Sequence, residues 1–544
     1  MALIQREQLP ASGWQGLLQH YQSDVVAGFL VFLIALPLCL GIAMASGFPP
    51  LAGIITAIVG GLWVGLFTGS PLSIKGPAAG LITIVLGAVE TLGQGDMAKG
   101  YRLTLSVIVV SGILQVLLGI FRAGSLSKFF PPATIRGMLA AIGIIIISKQ
   151  LPVMLGVKPI AKNPLALLAE IPHIIISLNP KIALIGCISL LILIIMPFIK
   201  VVFVQKIPAP LVVALVSIYL GHVLNLYQEH HYALGSQLYR IGPDYLVRLP
   251  NSIAASITFP DFSAILNPAA WQYIIIFAFV GSLESLLTIE AIDQLDFYKR
   301  QSDANKALRA IGMGNVICGL IGGLPMIAEV VRSSANVNNG AKTSWANWFH
   351  GLFLLLFVAG MPNLIQQIPL SALAAILVFT GYKLAAPKTL LHVWSVGKEQ
   401  VLIFITTVIV TLSTDLLVGI ASGILVKCLI LWLRGVSLKN LFNIWLAIEP
   451  LSDREVLIKI ESDAIFANYL CFKKAISKIP ADKKLIIDFS QAPVIDHTFM
   501  EHIFQWQQEC ARSGGAVEIK GMDHHVPFSA HPLAARKKMM RYHN

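Results

Sequence analysis

The 544 residues are 56% hydrophobic and only 12% charged, with a mean hydropathy of +0.75. Soluble domains carry about 25% charged residues, so a large water-soluble protein with merely buried helices is excluded. The net charge of +12 belongs to loops between apolar runs rather than to one patch, and no nucleic-acid partner is expected.

Residues 1–23 are polar to amphipathic, and Trp14, Leu17 and Leu18 predict an interfacial helix. The first apolar run passes straight into others, the pattern of a retained span and not of a cleaved signal. Val25 to Ser46 is the first span, interrupted by Pro37, and Pro50 to Thr68 is the second. Runs of about 20 apolar residues match a hydrocarbon core about 30 Å thick. A break follows, Gly69-Ser70-Pro71-Leu72-Ser73-Ile74-Lys75-Gly76-Pro77, and then a short helix from Ala78 to Thr91. Further segments fall near 101–121, 133–149, 181–204 and 207–226, before a polar loop over 227–268. The second half runs 271–292, 305–323, 327–339, 345–360, 366–382, 397–413 and 415–434.

This reading predicts an α-helical polytopic membrane protein of about fourteen transmembrane segments, half of them on each side of the long loop. The third segment of each half is the short one. Each follows a Gly/Pro break, Lys75-Gly76-Pro77 in the first half and Gly322-Gly323-Leu324-Pro325 in the second. Matching interruptions in two halves point to an inverted-repeat transporter with its site at the breaks. An even number of spans puts both termini on one side. Arg122, Lys128, Lys200, Lys206, Lys299, Arg300, Lys306, Arg309, Lys383 and Lys388 fall on that side, which the positive-inside rule makes cytoplasmic. Lys149, Lys158 and Lys162 fall outside, against the rule.

Charges inside the spans are few. Glu284 lies in an apolar run, where a carboxylate costs several kcal/mol unless paired, wet or protonated. Thr288 is four residues on and shares its helix face. The pair reads as a cation or proton site, or else Glu284 belongs to a structural ion pair. Glu329 and Arg332 are three apart at the start of the second short helix. Either they neutralise each other, or Glu329 titrates or steers a substrate while Arg332 adds positive potential. Lys75 either snorkels to headgroups or faces Glu284 or Glu329 across a cavity. Helix N-termini attract anions through free N–H groups and the dipole.

From about residue 440 the texture changes. Val456 to Ile460, Lys484 to Phe489 and Ala516 to Lys520 read as strands, with helices at Ala464 to Ser477 and His497 to Arg512. That alternation predicts a small α/β domain. The expected organisation is an N-terminal segment over 1–23, a transporter domain over 24–435, the α/β domain over 436–522 and a mobile His- and Lys-rich tail over 523–544. The six cysteines form no CxxC pair and are read as packing residues. No catalytic constellation is visible, so an enzyme is not expected.

The early Ala35-Leu36-Pro37-Leu38 with Ala45-Ser46-Gly47, the Lys75-Gly76-Pro77 break, and the stretches Gly281 to Thr288 and Gly322 to Gly340 together resemble the SulP family of anion transporters. The C-terminal domain resembles a STAS domain through Asp488-Phe489-Ser490 and Ile495-Asp496-His497-Thr498. The resemblance implies two inverted repeats in a uracil-transporter-like fold, with a core domain moving against a gate domain, and a homodimer. It places the anion between the starts of the third and tenth segments, at positions matching Ala78, Ala79, Ala328 and Glu329, with Arg332 and Lys75 beside them. It assigns a sodium ion to positions matching Glu284 and Thr288, which are the one candidate metal site. Glu329 is a second candidate for the coupling ion.

This chain departs from the family at Ala78 and Glu329, where a small hydroxyl residue is common, and at Lys75, where the usual residue is small or apolar. His497 stands where signalling STAS domains carry a phosphorylatable Ser, so its expected role is a helix start next to Asp496. The expected function is secondary active transport of sulfate or bicarbonate across the cytoplasmic membrane, with Na+ or H+ co-transported and no other cofactor. The STAS-like domain is a candidate docking site for a cytoplasmic partner. The alternatives are a dicarboxylate or nucleobase carrier, an uncoupled anion channel, or a membrane-anchored signalling scaffold.

Overall fold

The computed structural model describes residues 9–539 apart from 126–129, 162, 200, 202–206, 235–236, 249–255, 415, 442, 453, 477–478, 480–482 and 513–515. Lys128, Lys162, Lys200 and Lys206, used above to orient the chain, lie outside the described residues. Two compact units are present, Met1–Gly124 with Ile142–Leu384, and Ser125–Ala141 with Ala385–Asn544.

The first unit is helical. Among the described residues of the whole chain, eight helices are long and apolar enough to cross a bilayer: Gly13–Ala45, Pro50–Phe67, Met97–Ile120, Pro132–Leu155, Pro180–Phe198, Pro268–Leu295, Leu370–Val396 and Leu416–Leu433. The expected interfacial helix and first span are one element, Gly13–Ala45, broken at His20, whose backbone leaves the helical region. Prolines at the first helical turn start several segments, where their missing N–H costs nothing. Side chains of Asp96, Asn267 and Asp303 cap helix starts.

The segments after the two breaks are short, as the sequence predicts. One is Ala79–Gly93. The other, Val330–Asn338, has 9 residues, about 14 Å of helix, or half a hydrocarbon core. The helices that carry the rest of this region pack through small residues. A side-chain carbon at Gly112 would stand 2.8 Å from the Gly312 carbonyl, and one at Gly312 would stand 2.7 Å from the Gly112 carbonyl. Close backbone approach of this kind is how membrane helices associate without a hydrophobic driving force.

In the second unit, a four-stranded sheet runs in the order Leu446–Pro450, Glu455–Ile460, Lys484–Asp488 and Val517–Lys520. The first pair is antiparallel and the other two are parallel. Tyr469–Ile476 and His497–Arg512 are its helices. Ile458, Ile487, Phe472, Phe499 and Ile503 share its core, so the strands and helices lie where the hydrophobic pattern puts them.

Two features of this unit differ from the expectation. Residues read as a mobile tail form strands His525–Pro527 and Arg536–Lys538, which pair with each other, and the second also pairs with Val494–Ile495. Three residues each and rich in His, Arg and Lys, the two tail strands carry no hydrophobic alternation that a sequence reading could use. The α/β domain also does not keep its core to itself. Ile424, Cys428 and Leu431 of the Leu416–Leu433 helix pack with Ile465, Phe466 and Val494. Below them Lys427, wholly buried, pairs with Asp496 at 3.4 Å.

Candidate functional site

The two breaks meet. Lys75–Pro77 and Met326–Ala328 pair as a short antiparallel ribbon, with Lys75 opposite Ala328, Gly76 opposite Ile327 and Pro77 opposite Met326. The pairing extends on both sides: the Ala78 N–H donates to the Pro325 carbonyl at 3.3 Å, and the Glu329 N–H to the Ile74 carbonyl at 2.9 Å. An unwound segment inside a membrane must have its backbone groups satisfied by protein. Here each broken segment satisfies the other, and the starts of the two short helices are brought side by side.

Polar side chains from neighbouring helices finish the job. Asn315 takes the Met326 peptide from both sides, its Nδ2 donating to the carbonyl at 3.1 Å and its Oδ1 accepting from the N–H. Gln115 Oε1 accepts from Asn315 Nδ2 at 2.7 Å and holds that amide in place. The Ala328 N–H donates to Ser285 Oγ at 3.3 Å. Ser333 Oγ accepts from the Ile74 N–H at 2.8 Å. Asn347 Nδ2 donates to the Gly60 carbonyl at 2.9 Å. Sequence reasoning, fixed on charges, missed these residues. The available signal was amide and hydroxyl side chains inside apolar helices, which in membranes mark function or backbone repair.

The charged residues take distinct places around this ribbon. Glu284 is buried, and neither carboxylate oxygen has a hydrogen-bond partner among the described residues. It lies against Gly80, in the first turn of the Ala79–Gly93 helix, where any side chain would collide with it. Only glycine permits this approach. Thr288 is buried one turn further along the Glu284 helix.

Arg332 is 0% exposed, and none of its three guanidinium nitrogens has a hydrogen-bond partner among the described residues. It reaches across to Gly76 of the other broken segment and lies beside the Cys39 thiol, which is a poor acceptor. Glu329 does not pair with it. The Glu329 carboxylate instead accepts from the Arg332 backbone N–H at 2.8 Å and caps the Val330–Asn338 helix. Lys75 is also 0% exposed, with Nζ turned back onto the carbonyls of Ser73, at 2.8 Å, and Ser70, at 3.2 Å.

The structure thus gathers Ala78, Ala79, Ala328, Glu284 and Arg332 at one crossing. It keeps Glu329 as a cap and directs the Lys75 ammonium into its own loop. His350, which the sequence reading passed over, is buried near Arg332 with neither ring nitrogen hydrogen-bonded among the described residues. Two helix starts thus meet beside a guanidinium and a carboxylate that have no hydrogen-bond partner among the described residues.

Comparison with known proteins agrees with this architecture. The model of the Sulfate permease family matches residues 21–407. The putative sulfate transporter YvdB of Bacillus subtilis (strain 168) is 28% identical over 422 residues, which are 77% of this chain and 75% of the relative. The bicarbonate transporter BicA of Synechocystis sp. (strain ATCC 27184 / PCC 6803 / Kazusa) is 24% identical over 526 residues, 92% of this chain and 88% of the relative. The solved transmembrane domain of a cyanobacterium bicarbonate transporter BicA superposes with a TM-score of 0.63 at 23% identity, covering 75% of this chain and 98% of that one. The overall structure of SLC26A9 gives 0.67 at 15% identity, covering 93% and 85%. Both likenesses are of fold.

Proposed function

The chain belongs to the sulfate permease family and is an integral membrane transporter, and on that premise we propose that it moves a small inorganic oxyanion, sulfate or bicarbonate, by secondary active transport across the cytoplasmic membrane. The observation that carries this reading is the crossing itself: two short helices start beside each other, with a buried guanidinium that has no hydrogen-bond partner among the described residues. Helix starts hold an anion by N–H groups and dipole without a permanent salt bridge, which suits a solute that must leave as readily as it enters. A neutral nucleobase would leave the charge of the guanidinium uncompensated, whereas an oxyanion neutralises it.

Coupling follows from charge. Two carboxylates, Glu284 and Glu329, stand at the crossing with one guanidinium, Arg332, so an entering anion adds to an excess of negative charge. At an effective dielectric near 20, like charges about 4 Å apart repel by roughly 4 kcal/mol, about three orders of magnitude in affinity. A Na+ ion or proton bound at Glu284, with Thr288 as a nearby oxygen for Na+, removes most of that repulsion. Anion and cation then tighten each other by the same factor. In this reading both termini are cytoplasmic, the chain works as a homodimer, and the STAS-like domain regulates it.

The test is uptake into proteoliposomes of labelled sulfate and bicarbonate, with imposed sodium or pH gradients. Concentrative uptake of one of them is expected. Flux that never exceeds equilibrium would make the protein an uncoupled channel, and uptake of dicarboxylates alone would replace the substrate class.

A further inference from the structure

Lys75 is the charge for which the coupling scheme has no use. Its ammonium is enclosed, and it forms no ion pair with a carboxylate among the described residues. What surrounds it is oxygen of another kind. Nζ donates to the carbonyls of Ser73 and Ser70. The hydroxyls of those same two serines are buried and have no hydrogen-bond partner among the described residues. The loop between them is held from the second half: Asn336 Nδ2 donates to the Leu72 carbonyl at 2.9 Å, while Asn336 Oδ1 is buried and likewise unpartnered. An ammonium has three N–H donors, and two are accounted for.

Carbonyls of an unwound membrane segment, with hydroxyls beside them, are the ligand set that transporters offer to Na+. We propose that the loop over residues 70–73 is a seat for a monovalent cation that this chain fills with its own lysine. Lys75 is then a tethered counter-ion: it satisfies the inward carbonyls of the break and supplies a fixed positive charge behind the anion site, and it does not touch the anion. This rests on reading the crossing as the anion site. It also gives Lys75 a role different from direct substrate contact, and one that leaves Glu284 free to bind the exchangeable cation.

The experiment uses the purified full-length chain and its Lys75→Ala variant in detergent. The thermal midpoint is titrated with ammonium, potassium or sodium chloride against choline chloride, at constant chloride and ionic strength. The variant is expected to start below the wild type in choline and to rise saturably with at least one small cation. The wild type should show no such rise with ammonium or potassium. Adding Ser70→Ala and Ser73→Ala to the variant should weaken the response. In proteoliposomes, anion uptake by Lys75→Ala should be at least about tenfold slower in choline and recover in the same cation.

The thermal arm reads the seat whatever the substrate is, so failure of the transport reading and failure of the seat are separable. A variant that takes up anion like the wild type in choline overturns the proposal. So does one that loses uptake with no cation response in either arm, because the ammonium would then be a direct anion ligand. If Lys75→Ala does not fold, Lys75→Gln decides. It offers the same carbonyls a donor without charge, and wild-type anion affinity in it would show that the charge is not needed. A tenfold loss that no cation restores supports the filled but neutral seat only where the thermal midpoint of Lys75→Gln stays near the wild type's in choline; a lowered midpoint with that loss overturns the proposal.

Discussion

Arg332 and Glu284 define the site by what they lack. A guanidinium buried without acceptors is costly to the fold, so its removal has opposite consequences for stability and for binding. Arg332→Gln is expected to leave the thermal midpoint unchanged or raise it, while the anion KM rises by at least about tenfold. Thermal unfolding and concentration-dependent uptake of the same preparation check this; a lower midpoint with unchanged KM would make Arg332 a structural residue. For Glu284→Gln the expected loss is of coupling rather than binding. The amide keeps the shape of a protonated acid and cannot release a proton or hold Na+, so gradient-driven accumulation should vanish while anion exchange persists. Undiminished accumulation would move the coupling site elsewhere, with Glu329 next in line. Glu284 was legible from sequence because a carboxylate in an apolar run needs a reason. That Glu329 caps a helix, with its carboxylate on the Arg332 N–H, was not legible, because spacing of three allows an ion pair equally well.

At the level of elements, the joint between the Leu416–Leu433 helix and the His497–Arg512 helix concentrates buried polarity. Asp496 accepts from the Phe499 N–H as a helix cap and from the Phe466 N–H, and its carboxylate forms an ion pair with Lys427. Breaking a buried pair by removing one partner costs about 3–5 kcal/mol. Lys427→Ala should therefore lower the stability of the C-terminal unit by that order, and Lys427→Met with Asp496→Asn should recover part of it. Equal midpoints for the single and double variants would show that the pair does not act as one.

His497 sits at the same joint, with Nδ1 facing the Leu533 carbonyl and Nε2 facing Glu501. Burial pushes its imidazole below the ordinary value of 6.5, against the upward pull of that carbonyl and of Glu501 and Asp496, while Lys427 pushes the same way as burial. The unfolded chain then takes up the proton at higher pH than the folded one. Stability from this group is present above about pH 6.5 and is lost as pH falls below it. Burial pushes Asp463 up instead, and its contribution runs the opposite way, growing as pH falls. The comparison is therefore between wild type and His497→Gln. Thermal unfolding of the full chain, followed between about pH 7.5 and 5.5, should show a steeper decline of the midpoint for the wild type, and parallel curves would remove His497 from the account.

Across the whole chain, the C-terminal α/β domain bears on the stability of the helix that leads into it. Leu431, Phe466 and Val494 are fully buried in one cluster, and each such side chain is worth about 1.5–3 kcal/mol when buried. A chain cut after Arg434 loses that cover and leaves Lys427 without Asp496. It is expected to aggregate, or to run as a mixture on size exclusion in detergent, where the full chain is monodisperse. A monodisperse truncated protein with an unchanged midpoint would show that the helix does not depend on that cover.

Sequence alone determined the class of this protein. Long apolar runs with few charges leave only a helical membrane fold, because lipid satisfies no backbone group. It also located both breaks, since Gly and Pro interrupt helices by local sterics, and the strands of the C-terminal sheet, since their alternation is local too. Tertiary structure decided what those pieces do to each other. That Lys75 stands opposite Ala328, that Asn315 clasps Met326 and that Lys427 finds Asp496 are pairings between residues as far apart as 253 positions, from Lys75 to Ala328. Local periodicity carries no trace of them. A charge in an apolar run announces only that a partner, water or a ligand is required, and which of the three it has is settled by what the fold brings within reach.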